Sequence, residues 1–132
     1  MKKIKVQVSW MENYGACSDE VLGCVATNKT LEGVKKAYTD SLGWHLEAMR
    51  ADGDEIPEVL QEDYELEFEL NIQALLHYFD GILTRSALAR VTGINERQLG
   101  HYATGHRNPR PAQRIKIIEG IHRIGTEFNS VV

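Results

Sequence analysis

Cysteine is scarce in this chain, with only Cys17 and Cys24, as are proline, with three residues, and tryptophan, with two. No apolar run exceeds a few residues, which leaves nothing long enough to span a membrane. The opening MKKIKVQVSWMENYG carries a basic pair and then alternates apolar and polar residues. A signal peptide needs a continuous apolar core, so a cytoplasmic location is expected. In that setting two cysteines are most simply reduced thiols, and a pair seven apart with no histidine pair nearby lacks zinc-site spacing. There is no Gly-rich phosphate loop, internal repeat or low-complexity tract. A nuclease metal centre needs carboxylates converging from several elements. The first strand turns only Lys, Gln and Ser outward, so no catalysis, metal or cofactor is expected.

What is present divides in two. The 132 residues are 42% apolar and 26% charged, enough for one medium module or two small ones. The net charge of −4 hides an asymmetry: residues 1–70 hold 7 Lys/Arg against 15 Asp/Glu, and residues 71–132 hold 8 against 4. An acidic first module and a basic second one imply different partners.

The hydrophobic period changes at the same place. In KIKVQVSW, Ile4, Val6, Val8 and Trp10 alternate with polar residues, as in a half-buried strand. Two short strands follow, completing an antiparallel meander. Thr30 then caps a helix with apolar positions 31, 34, 38, 42, 46 and 49, and Gly33 leaves its capping box half built. Trp10, Tyr38 and Trp44 are expected in the core, and the two cysteines as small core residues. YELEFEL is the clearest strand, with Glu65, Glu67 and Glu69 outward; Lys3 and Lys5 are the expected counter-charges. A right-handed crossover brings it parallel to the first strand. The expected fold is therefore α+β: a βββαβ module over 1–70, with one covering helix, then an all-α module over 71–132.

In the second module the period is 3.6. Ile72, Leu75, Leu76 and Phe79 share a face, Thr84 and Asn95 stand at helix starts, and Gly105 is a stop. Gln98 at the third position after Asn95 offers a capping box. Pro111 opens the last helix. The stretch LARVTGINERQLGHYATGHRNP has the offsets of a helix-turn-helix. Ala89 is small where two helices meet, and Gly93 tolerates positive φ in the turn. Leu88, Ile94, Leu99 and Tyr102 seal the crossing.

Residues 72–128, above all GINERQLGHYATGHRNPRP, resemble the Cro/repressor-type (XRE-like) helix-turn-helix domain. The first 70 residues resemble the HicB antitoxin domain, a partial ribonuclease-H-like fold. The resemblance is carried by the opening strand, NYGACSDEVLGCVATNKTLEGVKKAYTDSLGWHLEAM and the strand after it. Where that family commonly reads Asp-Leu-Pro-Gly-Cys, this chain has Asp19-Glu20-Val21-Leu22-Gly23-Cys24. The resemblance implies a HicB-type antitoxin of a toxin–antitoxin pair. Its first domain would neutralise a HicA-type, RNA-cleaving toxin, and its second would repress the chain's own operon by binding double-stranded operator DNA.

For that binding, Arg97, Gln98 and His101 are the candidates for base edges, since Arg suits guanine and Gln suits adenine. Thr84, Arg85, Asn95, Arg107 and Asn108 are the other DNA-binding candidates, and Thr84, Arg107 and Asn108 among them suit phosphate. Gly100 would let the helix approach the groove. A solvated basic surface is the plainer account of the same arginines. Glu58, Glu62 and Asp63 are the candidates to face a basic toxin. Ile117, Ile121, Ile124 and Phe128 share a face of the last helix and are expected to hold a homodimer or higher even oligomer, which two half-sites require. The rival function is a free-standing transcription regulator whose first module senses a small molecule.

Overall fold

A computed structural model describes the whole chain, Met1–Val132. The architecture is α+β, with a four-stranded mixed sheet and five α-helices in two compact units, Met1–Asn71 and Ile72–Val132.

In the first unit, β1 (Lys2–Met11), β2 (Asn13–Ser18) and β3 (Val21–Asn28) run antiparallel in turn, and β4 (Tyr64–Leu70) lies parallel beside β1. The order is β3-β2-β1-β4. Alternation along β1 turns Ile4, Val6 and Val8 to one face, each wholly buried, and Lys3 and Lys5 to the other. Over the apolar face lies α1 (Leu31–Ala51), which buries Leu31, Val34, Tyr38, Leu42 and Leu46 in a single stripe. The Thr30 hydroxyl starts that helix by accepting the Gly33 N–H at 3.0 Å.

At the edge of its pairing with β2, β1 completes its hydrogen bonds through side chains. Lys5 N–H donates to the Glu20 carboxylate at 2.9 Å, and the buried Ser18 hydroxyl donates to the Lys5 carbonyl at 2.6 Å. These two bonds satisfy the Lys5 backbone just beyond the last β1–β2 partners, Gln7 and Cys17.

Four details depart from the sequence reading. Trp44 stands two positions past Leu42, about 200° around the helix, so it points away from the sheet and is 68% exposed. Cys17 faces outward with Asn13 and is exposed; Cys24 is buried, and both are free thiols. On β4 the apolar residues Tyr64, Leu66, Phe68 and Leu70 are only half-buried, because this strand is an edge. The acidic loop before it holds a single 3-10 turn at Glu58–Leu60, anchored by the buried Leu60. The charge pairing is as expected: Lys3 meets Glu67 at 3.8 Å and Lys5 meets Glu69 at 3.0 Å.

The second unit consists of α2 (Ile72–Tyr78), α3 (Arg85–Thr92), α4 (Glu96–Thr104) and α5 (Pro111–Asn129). Ile72, Leu88, Ile94, Leu99, Tyr102, Ile117 and Ile124 form its core. Gly120 lets α5 lie close on α3: a Cβ there would stand 2.7 Å from Thr92 Cγ2 and 3.1 Å from Val91 Cγ2. Ile117 and Ile124, expected at a dimer contact, lie instead in this core, because α5 turns the same face onto α3. Ile121 is half-buried, and Phe128 remains 60% exposed.

Replacing Leu42 by Ala should destabilise the first unit by about 2–5 kcal/mol, since it opens a cavity under the helix. Lys5→Ala breaks an exposed ion pair and should cost about 1 kcal/mol or less. Both tryptophans lie in this unit, so urea unfolding followed by tryptophan fluorescence compares the two directly. Equal losses would contradict the packing argument.

Candidate nucleic-acid interface

Helices of eight and nine residues are too short to persist alone in water, so α3 and α4 depend on their ends and their shared core. The Thr84 hydroxyl accepts the Ala87 N–H at 3.0 Å, and the Asn95 carboxamide oxygen accepts the Gln98 N–H at 2.8 Å. Between them Gly93 closes α3 at φ 77°, a left-handed conformation that glycine adopts without strain, and Gly105 closes α4 in the same way. Thr92 ties the turn together, its hydroxyl donating to the Leu88 carbonyl at 2.6 Å and accepting the Ile94 N–H at 3.1 Å. With Leu88, Ile94, Leu99 and Tyr102 all buried beneath this turn, the outward side chains of α4 are fixed in direction.

Arg97 is exposed on α4, and Arg107 and Asn108 are exposed in the segment after it. Gln98 is half-buried and does not complete a capping box. Its amide nitrogen donates to the Tyr102 hydroxyl at 2.9 Å, one turn on, so it is turned along the helix rather than back to Asn95. Gln98, Tyr102, Arg107, Asn108, Arg110 and Gln113 line one pocket of ≈ 320 Å³.

Thr84 and Arg85 belong elsewhere: with His77, Asp80 and Glu96 they line a separate cavity of ≈ 540 Å³. The Arg85 side chain extends over Gly100, where an added Cβ would meet its Nη1 at 3.0 Å. Gly100 is buried, so its lack of a side chain accommodates Arg85 and does not open α4 to a ligand. Asn95, at the first turn of α4, is engaged as a cap through its oxygen; its amide nitrogen is a remaining donor.

His106 escapes a reading by periodicity, because it lies beyond the helix. The chain reverses at Gly105, and Arg107 N–H donates to the His101 carbonyl at 3.2 Å. This fold-back sets the His106 ring on that of His101, with centroids 4.9 Å apart. A histidine directly after a helix-stopping glycine was the available signal. Arg110 and Gln113 join the pocket by a similar route, at the start of α5. Burial, and then the positive charges of His106, Arg107 and Arg97, hold His101 below the usual imidazole pKa.

In the first unit Glu58, Glu62 and Asp63 are all exposed, with Glu58 on the rim of a shallow depression formed by Glu55, Ile56, Pro57 and Gln61. Glu67 and Glu69 are engaged by lysines. No group of three or more His, Cys, Asp or Glu is placed to hold a metal ion, and no helix is long and apolar enough to cross a membrane. No family model matches the chain, and no curated protein matches it either.

Asn95→Ala should destabilise the second unit by about 0.5–2 kcal/mol, and Asn95→Asp should retain most of the stability, because a carboxylate also caps. Thermal melts followed by helical circular dichroism measure both. An Ala variant as stable as the parent would remove the cap from the account of α4.

Proposed function

We propose that the chain is a HicB-type antitoxin that also represses its own operon, with α3 and α4 acting as a Cro/repressor-type helix-turn-helix on double-stranded operator DNA. The observation that carries this reading is the gathering of Arg97, Gln98, His101, Arg107 and Asn108 on and just after one capped, core-anchored helix. Arg97 reads a base edge, and Arg107 and Asn108 hold phosphate and fix the register. Gln98 reads DNA only by exchanging its bond to Tyr102 for one to a base.

The chain works as an even oligomer, which places two such helices on two half-sites. With Ile117 and Ile124 in the core, that contact falls to Ile121 and Phe128 beside the exposed Ile82, along an apolar groove of ≈ 510 Å³. The first unit meets a HicA-type toxin. Its surplus of 15 Asp/Glu over 7 Lys/Arg in residues 1–70 favours a basic, RNA-binding partner, and Glu58, Glu62 and Asp63 stand free at its surface to steer one.

Affinity for the DNA upstream of the chain's own reading frame should fall steeply with salt, with a log–log slope of about −0.9 for each phosphate contact. Arg97→Ala should weaken binding to that DNA by about 1–3 kcal/mol and leave binding to random duplex nearly unchanged. Fluorescence anisotropy on labelled duplexes measures both quantities. A loss of equal size on the two duplexes would make Arg97 a phosphate contact, and an affinity indifferent to salt would overturn the DNA reading.

The toxin half is tested with the product of a short basic reading frame adjacent to this one. The full chain should bind it and stop its cleavage of RNA. Changing Glu58, Glu62 and Asp63 to Gln, Gln and Asn should slow association about tenfold or more at low salt, with little change in dissociation. Stopped-flow mixing at two salt concentrations separates the two rates. A product that neither binds nor loses its activity would overturn this half of the function.

A further inference from the structure

The pairing of His101 with His106 has a consequence for whatever the face binds. His101 sits half-buried on α4, its Nδ1 enclosed and without a hydrogen-bond partner, and the His106 ring lies tilted against it at 4.9 Å. The charges bearing on it are all positive: His106 and Arg107 from the following segment and Arg97 from one turn earlier. The charged groups on packed neighbours line a cavity to which His101 does not belong. Glu96, with Arg85 of α3 and His77 of α2, surrounds the separate cavity at the start of α3. Two imidazoles this close resemble half of a metal site, but no third ligand joins them, and two guanidinium groups beside them repel a cation. The same guanidinium groups attract an anion.

We propose that the His101–His106 pair couples anion binding on this face to proton uptake, so that the chain's affinity for DNA rises as pH falls through the imidazole range. This rests on the DNA-binding reading. In the free protein a proton on His101 is opposed by its enclosure and by three like charges. A phosphate brought beside Arg107 offsets those charges and offers an acceptor to an imidazolium N–H, so the proton is held more firmly in the complex. Whatever raises proton affinity on binding must raise DNA affinity on protonation by the same factor. The change is at most about tenfold per pH unit for each proton taken up. The direction is fixed: affinity is highest below the imidazole pKa of the complex and declines as pH rises past it.

The test uses the full chain and duplex DNA from upstream of its own reading frame, at constant ionic strength, from roughly pH 5.5 to 8. Binding should weaken by about tenfold or more across that range, and the variant carrying His101→Gln and His106→Gln should lose most of this dependence. In the unsubstituted chain, the imidazole resonances followed by NMR should show one or both of these histidines titrating at higher pH with DNA than without. This second measurement needs no variant and so is unaffected by any loss of folding. Binding that is independent of pH, an unchanged dependence in the double variant, or imidazole titrations unmoved by DNA would overturn the inference and leave the DNA reading standing. A chain that binds the duplex at no pH would overturn both.

Discussion

Everything distinctive about the second unit depends on keeping two helices of eight and nine residues in one fixed crossing. Neither length supports a helix alone. The crossing is held by two capping side chains, a left-handed glycine between them and a small shared core, and each of these acts on the others. Gly93 allows the chain to turn; the turn brings Ile94 under Leu88; and that contact leaves Asn95 where its oxygen meets the Gln98 N–H. Arg97 and Arg107 stand exposed outside this core. A site built this way separates the residues that fix geometry from those that make contact.

Much of the arrangement was legible in the sequence, and what was legible shares a physical character. Caps, glycine turns and alternating strands are local: each is decided within four or five residues. Thr30, Thr84, Asn95, Gly93, Gly105 and Pro111 all take the roles their types suggest, and the lysines of β1 find the glutamates of β4 because alternation puts both sets on one face, where each lysine reaches the glutamate two positions beyond the one it faces.

What was not legible depends on choices between equally good local solutions. An isoleucine stripe on α5 fits a partner copy or its own α3 equally well, and only the packing of the unit assigns Ile117 and Ile124 to the latter. Gln98 could cap or bond forward, and the nearby Tyr102 hydroxyl takes it. Trp44 looks like core by its type and is surface by its angle around α1. The His101–His106 contact crosses a chain reversal, which periodicity does not describe.

The sheet order also bears on how the chain acquires its structure. In β1, at the start of the chain, Lys2 pairs with Tyr64 and Val8 with Leu70, so a central strand must wait for the last element of its unit. Closing so long a loop delays the pairing, and parallel strands joined by a helix are slow to form for this reason. The second unit has only helices joined by short turns, with contacts close in sequence, and such folds form faster. On a ribosome the acidic half emerges first, yet its β1 edge stays unpaired until residue 70 is out. Open strand edges are the surfaces on which chains aggregate. The lysines and glutamates that line β1 and β4 therefore have a role before the sheet exists, keeping both strands soluble until they meet.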